Sequence, residues 1–253
     1  MIRKEDFFIH PNVIPFIDDK EYGIVSVLYS ALDAFARTSY KSLYVVDYYK
    51  QDFLYVADNP LFLGELSADE VKEKNFEYYI NHIYDRDLSL FLEVHNALFS
   101  FLADIPVENR TEYTLNHSFR IKIKQNKIIP VNHKITPLLL TPEGHIWLAL
   151  CTVSISSGEN MDRIEITHQD SRDKWIYNPQ TQKWKKDINV IELSEEEKEV
   201  LRLVAQGSTM DKISDSMYKS IDTVKGYRKH IFEKFGTNSI TQAVAYAINN
   251  KLI

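Results

Sequence analysis

The last part of the chain opens with the stretch ELSEEEKEVLRLVAQG, residues 192–207. Ser194 with Glu197 three positions later is a capping box, in which each side chain satisfies a backbone N–H group at the start of a helix. The apolar residues that follow recur at helical spacing, and Gly207 supplies the left-handed conformation that ends a helix. The stretch therefore predicts a short amphipathic helix with defined ends.

Three further short helices are predicted after this one. The second contains the apolar residue Ile213. The third begins after Ser220, whose hydroxyl can cap it, and ends at Gly236. The fourth covers residues 240–249 and can be capped by Ser239. Because a tight turn separates the second helix from the third, this all-α four-helix part is predicted to contain a helix-turn-helix.

The third predicted helix has an apolar face and a polar face. Val224, Ile231 and Phe235 share the side that is expected to face the core. The opposite side carries Asp222, Lys225, Gly226, Lys229 and Glu233, with Arg228 and Lys234 on its flanks. The two lysines one turn apart favour contact with nucleic acid, although such a pair alone is more typical of a solvated helix face.

Residues 193–247 resemble the DNA-binding domain of LuxR/GerE-type transcriptional regulators. The residues that carry the resemblance are Leu193, Ser194, Glu197, Glu199-Val200-Leu201, Gly207, Ile213, Ser220, Thr223-Val224-Lys225, Ile231-Phe232-Glu233-Lys234, Gly236 and Ala243-Val244-Ala245-Tyr246-Ala247. Asp211-Lys212 replaces the Lys-Glu pair usual in the family, and Gly226 stands where a larger residue is common. These departures leave the predicted fold in place, but the sequence of the DNA target cannot be derived from these residues.

The resemblance implies roles for individual residues. Thr209, Ser220 and Thr223 would contact phosphates, and Lys225, Gly226 and Lys229 would face base edges in the major groove. Arg228 and Lys234 would add positive charge beside that face. An inverted-repeat DNA site requires two-fold symmetry, so a homodimer is expected. The fourth helix would form its contact through Ala243, Tyr246, Ala247 and Asn250. RNA polymerase is a further candidate partner.

Composition restricts the class of protein. The 253 residues carry a formal net charge of −6, whereas residues 207–253 hold seven basic and four acidic side chains. This small positive excess predicts weak, salt-sensitive DNA binding by a single domain. One cysteine excludes an intrachain disulfide framework. The first residues lack the apolar core of a signal peptide, and no apolar run is long enough to span a membrane, so we expect a cytoplasmic protein.

The preceding residues show two strand-like segments, a helical middle and three more strand-like segments. We predict a helix over residues 22–36, strands over residues 43–47 and 53–57, a helix capped by Ser67, a helix over residues 87–102, and strands over residues 117–124, 128–139 and 145–156. Further strands, residues 162–168, 174–177 and 184–186, are expected to pack on this sheet, the last two as a hairpin.

This order resembles a PAS-type sensor domain, a five-stranded antiparallel sheet with helices on one face. The resemblance is carried by Asp58-Asn59-Pro60-Leu61-Phe62-Leu63-Gly64 and Tyr84-Asp85-Arg86-Asp87-Leu88. We therefore predict an α+β chain with four parts. They are an N-terminal helical extension (residues 1–40), a PAS-like sensor domain (41–160), a hairpin-containing connector (161–190) and a LuxR-type helix-turn-helix domain (191–253).

No cofactor, metal site or catalytic residue is predicted. Cys151 falls on a predicted strand and is expected to be a small buried residue rather than a flavin-reactive thiol. His82 and His95 are the histidines available for haem, but ordinary packing is the simpler interpretation. The same holds for the aromatic residues that could line a cavity for an unidentified small ligand, namely Tyr44, Tyr55, Phe62, Tyr78, Tyr79, Phe91 and Phe99.

Two alternatives remain beside a PAS-like regulator. An autoinducer-type receptor domain relies on an early tryptophan, whereas Trp147, Trp175 and Trp184 all come late in this chain. An enzyme would need a catalytic or phosphate-binding motif, and none is present. Asp85 and Asp87 are better explained as charges in the first turn of a helix than as paired catalytic carboxylates.

Overall fold

The structure is a computed structural model. It describes residues 2–8, 11–39, 41–59, 63–64, 66–123, 127–156, 163–169, 173–187, 191–250 and 252–253. The chain divides into two compact units, Met1–Ile188 and Asn189–Ile253. Within the described ranges, no helix is both long and apolar enough to cross a membrane.

An antiparallel sheet with the strand order β2-β1-β5-β4-β3-β6-β7-β8 organises the first unit. The strands are β1 (Ser42–Asp47), β2 (Asp52–Val56), β3 (Tyr113–Lys122), β4 (Ile128–Leu140), β5 (Ile146–Ile155), β6 (Glu165–His168), β7 (Lys174–Asn178) and β8 (Lys183–Asp187). The half-sheet β2-β1-β5-β4-β3, with helices inserted between β2 and β3, is the PAS-like arrangement predicted from the sequence.

The sheet continues beyond the five predicted strands. β6 pairs with β3, and β7 and β8 extend the sheet further from β6. In the β7–β8 hairpin, Trp175 lies opposite Lys186 and Tyr177 opposite Trp184, as the sequence predicted. The predicted connector thus joins the sheet through its edge rather than by packing on its face, because β3 offers unpaired backbone groups there.

Four α-helices accompany this sheet in the part of the first unit that the structure describes. They are α1 (Val25–Thr38), α2 (Ala68–Lys74), α3 (Glu77–His82) and α4 (Asp85–Ala103), with 3-10 turns at Lys4–Phe8, Asp19–Ile24 and Val107–Glu112. Ser67 caps α2 in a capping box with Glu70. α3 could not be predicted from the sequence, because its apolar residues stand side by side rather than at helical spacing.

Both faces of the sheet are covered. Along β1, Tyr44 and Val46 face the core that contains α4, whereas Leu43 and Val45 face the core beneath α1. This follows from the alternation of side chains along a strand. Most of the aromatic residues considered as cavity lining fill the first core, as expected. Tyr55 lies in the other core, and Phe62 lies outside the described residues.

A chain of buried polar side chains crosses the first core. The hydroxyl of Tyr79 donates to that of Tyr44, whose oxygen lies 2.6 Å from Nε2 of His133. Nδ1 of His133 lies 3.0 Å from Nε2 of His117. Burial lowers the pKa of His117 to about 3 and also lowers that of His133, so both rings are neutral near pH 7.

The other residues considered for cofactors have ordinary roles. Cys151 is buried on β5, as predicted, and burial raises the pKa of its thiol to about 12. His95 shares a hydrogen bond of 2.9 Å with the Tyr48 hydroxyl, and His82 stacks on Tyr78. Among the described residues, no group of three or more acidic, histidine or cysteine side chains is arranged to hold a metal ion.

Four helices form the second unit: α5 (Glu195–Ala205), α6 (Met210–Met217), α7 (Ile221–Phe235) and α8 (Ile240–Asn249). A hydroxyl side chain caps each N-terminus, from Ser194, Thr209, Ser220 and Ser239 in turn. Gly207 and Gly236 take the left-handed conformations predicted for helix ends. Their common core contains Val200, Leu201, Ile213, Val224, Ile231, Phe235, Ala243 and Ala247.

A buried carboxylate links the first helix of this unit to the third. Glu197, which is 3 % exposed, accepts the backbone N–H of Ser194 at 2.8 Å and the ammonium of Lys234 at 2.6 Å. The same ammonium donates to the carbonyl of Glu192 at 2.8 Å. Removing one partner of a buried ion pair is costly, because it leaves the other charge without compensation.

The buried histidines predict a pH-dependent stability for the first unit. Their unfolded pKa is about 6.5. Folding lowers the pKa of both histidines, so their contribution to stability is fully present above about pH 6.5. It is lost as the pH falls from there toward their pKa in the folded protein. We expect the free energy of unfolding to drop by about 1.4 kcal/mol per pH unit for each histidine below pH ~6.

Urea unfolding followed by tryptophan fluorescence measures this dependence, since all three tryptophans belong to the first unit. The free energy should be nearly constant between pH 8 and pH 7 and should then decline toward pH 5. Equal values at pH 7 and pH 5 would show that the two rings take up protons without cost in the folded state.

Substitution Lys234→Ala should destabilise the second unit by about 2 kcal/mol, because Glu197 would keep its buried charge without the ammonium. The control is Lys225→Ala on the same helix. It removes an exposed pair with Asp222 and should cost no more than about 0.5 kcal/mol. Hydrogen exchange of the backbone amides in α5 and α7 measures the loss of stability in each variant. An equal loss in the two variants would contradict the structural role of Lys234.

Candidate nucleic-acid interface

The turn between α6 and α7 is short and internally bonded. Tyr218 adopts the left-handed conformation, with φ 53° and ψ 42°, and its N–H donates back to the end of α6. The hydroxyl of Ser214 donates to the carbonyl of Lys219 at 2.6 Å, and the N–H of Lys219 donates to the carbonyl of Ser214 at 3.0 Å. These bonds fix where α7 begins, as a helix-turn-helix requires.

The two faces of α7 are those predicted from its periodicity. Val224 and Ile231 are fully buried, and Phe235 is 8 % exposed. On the opposite face the side chain of Lys225 is 64 % exposed and that of Lys229 is 77 % exposed. The lysines therefore project from the exposed side of the helix, one turn apart.

Each of these lysines has an acidic neighbour on the same face. The ammonium of Lys225 lies 3.1 Å from a carboxylate oxygen of Asp222, and that of Lys229 lies 3.8 Å from one of Glu233. The four charges cancel, so the face is less positive than the lysine pair alone suggests. Exposed pairs of this kind contribute about 0–1 kcal/mol, so a phosphate or a base edge can replace the carboxylates at little cost.

Three hydroxyls lie at the N-termini of α6 and α7. Ser220 Oγ accepts the N–H of Thr223 at 3.2 Å and lies 2.9 Å from the Thr223 hydroxyl. Thr209 caps α6 by accepting the N–H of Lys212 at 3.5 Å. All three side chains are exposed. A capping oxygen keeps its own O–H group, and helix N-termini favour anions, so both ends suit phosphate contacts.

Gly226 lies between the two lysines on the helix. A Cβ atom built at this position would meet no atom of the protein within 4 Å. Packing inside the molecule therefore does not explain the glycine, although it costs about 1 kcal/mol of helix stability relative to alanine. The space beside Gly226 is therefore open on the outward side of the helix.

Two of the predicted DNA-contacting residues also make contacts within the protein. The ammonium of Lys234 donates to Glu197 and to the carbonyl of Glu192, while its side chain stays 37 % exposed, so its contact with DNA stays a prediction. The guanidinium of Arg228 lies over the Phe232 ring, 5.1 Å from its centroid, with a buried Nε. Arg228 therefore lies at the flank of the face, partly buried.

Two of the four residues predicted to form the dimer contact on α8 lie in the core, and the other two are half-buried. Ala243 and Ala247 are fully buried in the core of the unit, so their side chains cannot touch a second copy. Tyr246 packs on Phe235 with ring centroids 4.7 Å apart. The amide of Asn250 donates to the carbonyl of Tyr246 at 2.9 Å. The outward residues of this helix are instead Thr241, Ala245 and Ile248.

The spacing of Ala243, Ala247 and Ile248 along the fourth helix predicts that all three face inward, but Ile248 is 55 % exposed. A ten-residue helix at the end of a chain shows too few turns for its periodicity to choose between neighbouring faces.

Sequence reasoning missed Tyr218 as a candidate contact residue. Its side chain is 94 % exposed and lies immediately before the start of α7. Left-handed backbone costs of order 1–3 kcal/mol in a residue other than glycine, and such strain is concentrated at functional sites. The available signal was a bulky aromatic residue in a tight turn, where glycine or asparagine is the usual choice.

Comparison with known proteins agrees with this geometry. Residues 192–247 match the family model of bacterial regulatory proteins of the luxR family. The oxygen regulatory protein NreC of Staphylococcus aureus, in strains JH9 and JH1, is 36% identical over 61 residues. These residues are 24% of this chain and 28% of NreC, so the chain matches less than a third of the length of its curated relatives.

Two solved structures resemble larger parts of the chain. The dimer of Vibrio cholerae VqmA without target DNA shares 16% identity, covering 92% of this chain and 88% of that one, with a TM-score of 0.34. A PAS domain from a two-component sensor histidine kinase shares 14% identity, covering 52% of this chain and 99% of that one, with a TM-score of 0.34. TM-scores this low do not support an assignment. The PAS-like assignment therefore rests on the strand order β2-β1-β5-β4-β3 of the sheet.

The family match coincides with the four capped helices of the second unit, including the bonded turn and the outward lysines of α7. Residues 192–247 are therefore a helix-turn-helix domain of the luxR family of bacterial regulatory proteins.

Proposed function

We propose that the protein is a cytoplasmic transcriptional regulator that binds specific double-stranded DNA as a homodimer. The PAS-like unit serves as its sensory or dimerisation part. The observation that carries the proposal is the outward face of α7, where Lys225 and Lys229 project one turn apart. RNA polymerase is a further candidate partner, because a regulator bound near a promoter acts on transcription.

The α7 helix would enter the major groove with this face toward the bases. Lysine donates to the O6 and N7 acceptors of guanine, and the groove is wide enough to admit a helix. Lys225 and Lys229 would exchange their carboxylate partners for these acceptors or for phosphates. Asp222 and Glu233 would then disfavour nonspecific contact with phosphates, because like charges repel. Gly226 leaves room for the backbone to approach the groove floor.

Phosphate contacts would position the helix. Ser220 and Thr223 at the start of α7, together with Thr209 at the start of α6, supply hydroxyl donors beside exposed backbone N–H groups. Contacts of this type fix register and orientation but carry no sequence information. Tyr218 projects from the turn between the end of α6 and the start of α7, and its hydroxyl is suited to contact the DNA backbone.

A second copy of the chain would supply the other half-site. Inverted repeats place two recognition helices about one helical turn of DNA apart, about 34 Å. Thr241, Ala245 and Ile248 on the outward face of α8 carry no charge, so they can meet their counterparts in an isologous contact without repulsion between like charges. The dimer contact thus uses the predicted helix but different side chains.

The double substitution Lys225→Ala and Lys229→Ala should weaken binding to a duplex selected by the full chain from a random-sequence library. We expect a loss of affinity of about tenfold or more, because each base contact is worth about 1–3 kcal/mol. Band-shift titrations at several salt concentrations measure it, and the salt dependence should become less steep.

The matched control removes two exposed lysines from the β8 hairpin, Lys183→Ala and Lys185→Ala, and so changes the net charge equally. It should leave affinity within about twofold, since neither lysine belongs to the helix-turn-helix unit. Equal loss in both double variants, or no loss in either, would contradict the assignment of the α7 face.

Substitution Ile248→Glu should prevent two copies from occupying the selected duplex together, because it places a charge in the proposed apolar contact between α8 helices. Gln206→Glu, on an exposed residue at the end of α5, adds the same charge elsewhere. Band shifts and sedimentation with DNA distinguish one bound copy from two. An unchanged two-copy complex with Ile248→Glu would exclude this face of α8 as the contact.

A further inference from the structure

Two large apolar side chains are exposed where the turn between α6 and α7 meets the start of α7. Tyr218, in the turn, is 94 % exposed, and Ile221, the first residue of α7, is 38 % exposed. Val224, three residues further along the helix, is fully buried. Ile221 thus begins α7 without joining the buried core of the second unit, and its alkyl side chain is open to solvent beside the proposed DNA-binding face.

The cap of α7 does not use the side chain of Ile221. Ser220 Oγ accepts the N–H of Thr223 at 3.2 Å, so the residues on either side of Ile221 complete the cap. The first turn of a helix favours acidic side chains because of the helix dipole, and isoleucine forms helices less readily than alanine. An exposed β-branched side chain at this position therefore has no role in forming the helix.

Ile221 lies in one row with the two outward lysines of α7. Residues four apart are neighbours on the surface of a helix, so Ile221, Lys225 and Lys229 follow one another along it. Ile221 stands at the N-terminal end of this row, and the N-terminal residues of a recognition helix are the ones that contact base edges. A position in the groove that brings Lys225 to a base edge therefore brings Ile221 close to one as well.

The chemistry of Ile221 limits what it can contact in the groove. Its side chain has no hydrogen-bond donor or acceptor, so it cannot bond to a phosphate or to a polar base edge. Among the groups that base pairs present in the major groove, the C5-methyl group of thymine is the apolar one. Contact between this methyl group and the isoleucine removes apolar surface of both from water, which is favourable. Tyr218 differs, because its hydroxyl can meet the DNA backbone.

We propose that Ile221 recognises the C5-methyl group of a thymine in each half-site of the DNA target. The inference rests on the proposed function, because it requires α7 to enter the major groove. Four residues along a helix rise about 6 Å, and neighbouring base pairs are about 3.4 Å apart. The thymine therefore lies within about two base pairs of the base that Lys225 contacts.

Replacement of thymine by deoxyuridine tests the proposal, because it removes the methyl group and leaves base pairing intact. Each thymine of the duplex selected by the full chain is replaced in turn, at the equivalent positions of both half-sites, and affinity is measured by band-shift titration. We expect a position where loss of the two methyl groups weakens binding about tenfold, since burial of one such group is worth about fourfold.

Two matched variants connect this position to Ile221. Ile221→Ala shortens the side chain, so the difference between the thymine and deoxyuridine duplexes should fall to about twofold or less. Ile240→Ala makes the same change at the first residue of α8 and should keep the difference of about tenfold. Each ratio compares two duplexes with one protein sample, so a loss of folded protein in either variant cancels.

The inference is overturned if no thymine position responds to loss of the methyl group, or if Ile221→Ala keeps the full difference. Binding of the unmodified duplex tests the proposed function separately. A chain that binds this duplex through Lys225 and Lys229 but is indifferent to the methyl groups retains the proposed function and loses the inference. A chain that binds no duplex loses both.

Discussion

The second unit depends on the buried carboxylate of Glu197. This group caps the start of α5 through Ser194 and binds the ammonium of Lys234 near the end of α7. A carboxylate that is 3 % exposed is stable only with such partners, so the two helices must stay together. With the inner side of α7 held in this way, its opposite side remains turned to solvent. This ion pair therefore acts together with the buried residues Val224 and Ile231 to keep the proposed DNA-binding face turned outward.

The outward ion pairs of α7 contribute less to the stability of the fold than the pair between Glu197 and Lys234 does. Lys225 and Lys229 pair with carboxylates at 3.1 and 3.8 Å, but both pairs are exposed, so they contribute little to stability. The same residue type therefore has two roles on one helix. Where the ammonium meets the buried carboxylate of Glu197 it stabilises the fold, and where its partner is an exposed carboxylate it is available to another partner. The burial of the carboxylate partner decides between these roles more than position along the helix does.

Much of this arrangement could be predicted from the sequence, and the errors have identifiable causes. Helix ends followed from local chemistry, because Ser194, Ser220 and Gly236 act on their own neighbours in the chain. The helical periodicity of the apolar residues also assigned the faces of α7 correctly, because it too depends only on residues that are close together in the chain. Pairing between distant residues could not be read in this way: Lys234 appeared to be a surface cation because its partner Glu197 is 37 positions away.

The first unit shows the same limit. Strand positions followed from alternation, but the addition of β6, β7 and β8 to the edge of β3 depends on backbone pairing, which side-chain patterns do not encode. The contact between His117 and His133 is also a tertiary feature. His117 and His133 sit opposite each other on neighbouring strands, and a predicted register would have been needed to bring them together.

The most direct test of the account is the acetylation rate of individual lysines, measured by mass spectrometry on the full chain with and without its selected DNA duplex. The account predicts that DNA protects Lys225 and Lys229, while Lys234 reacts slowly in both states because Glu197 already binds its ammonium. Unchanged reactivity of Lys225 and Lys229 in the DNA complex, or protection of Lys234 alone, would contradict it.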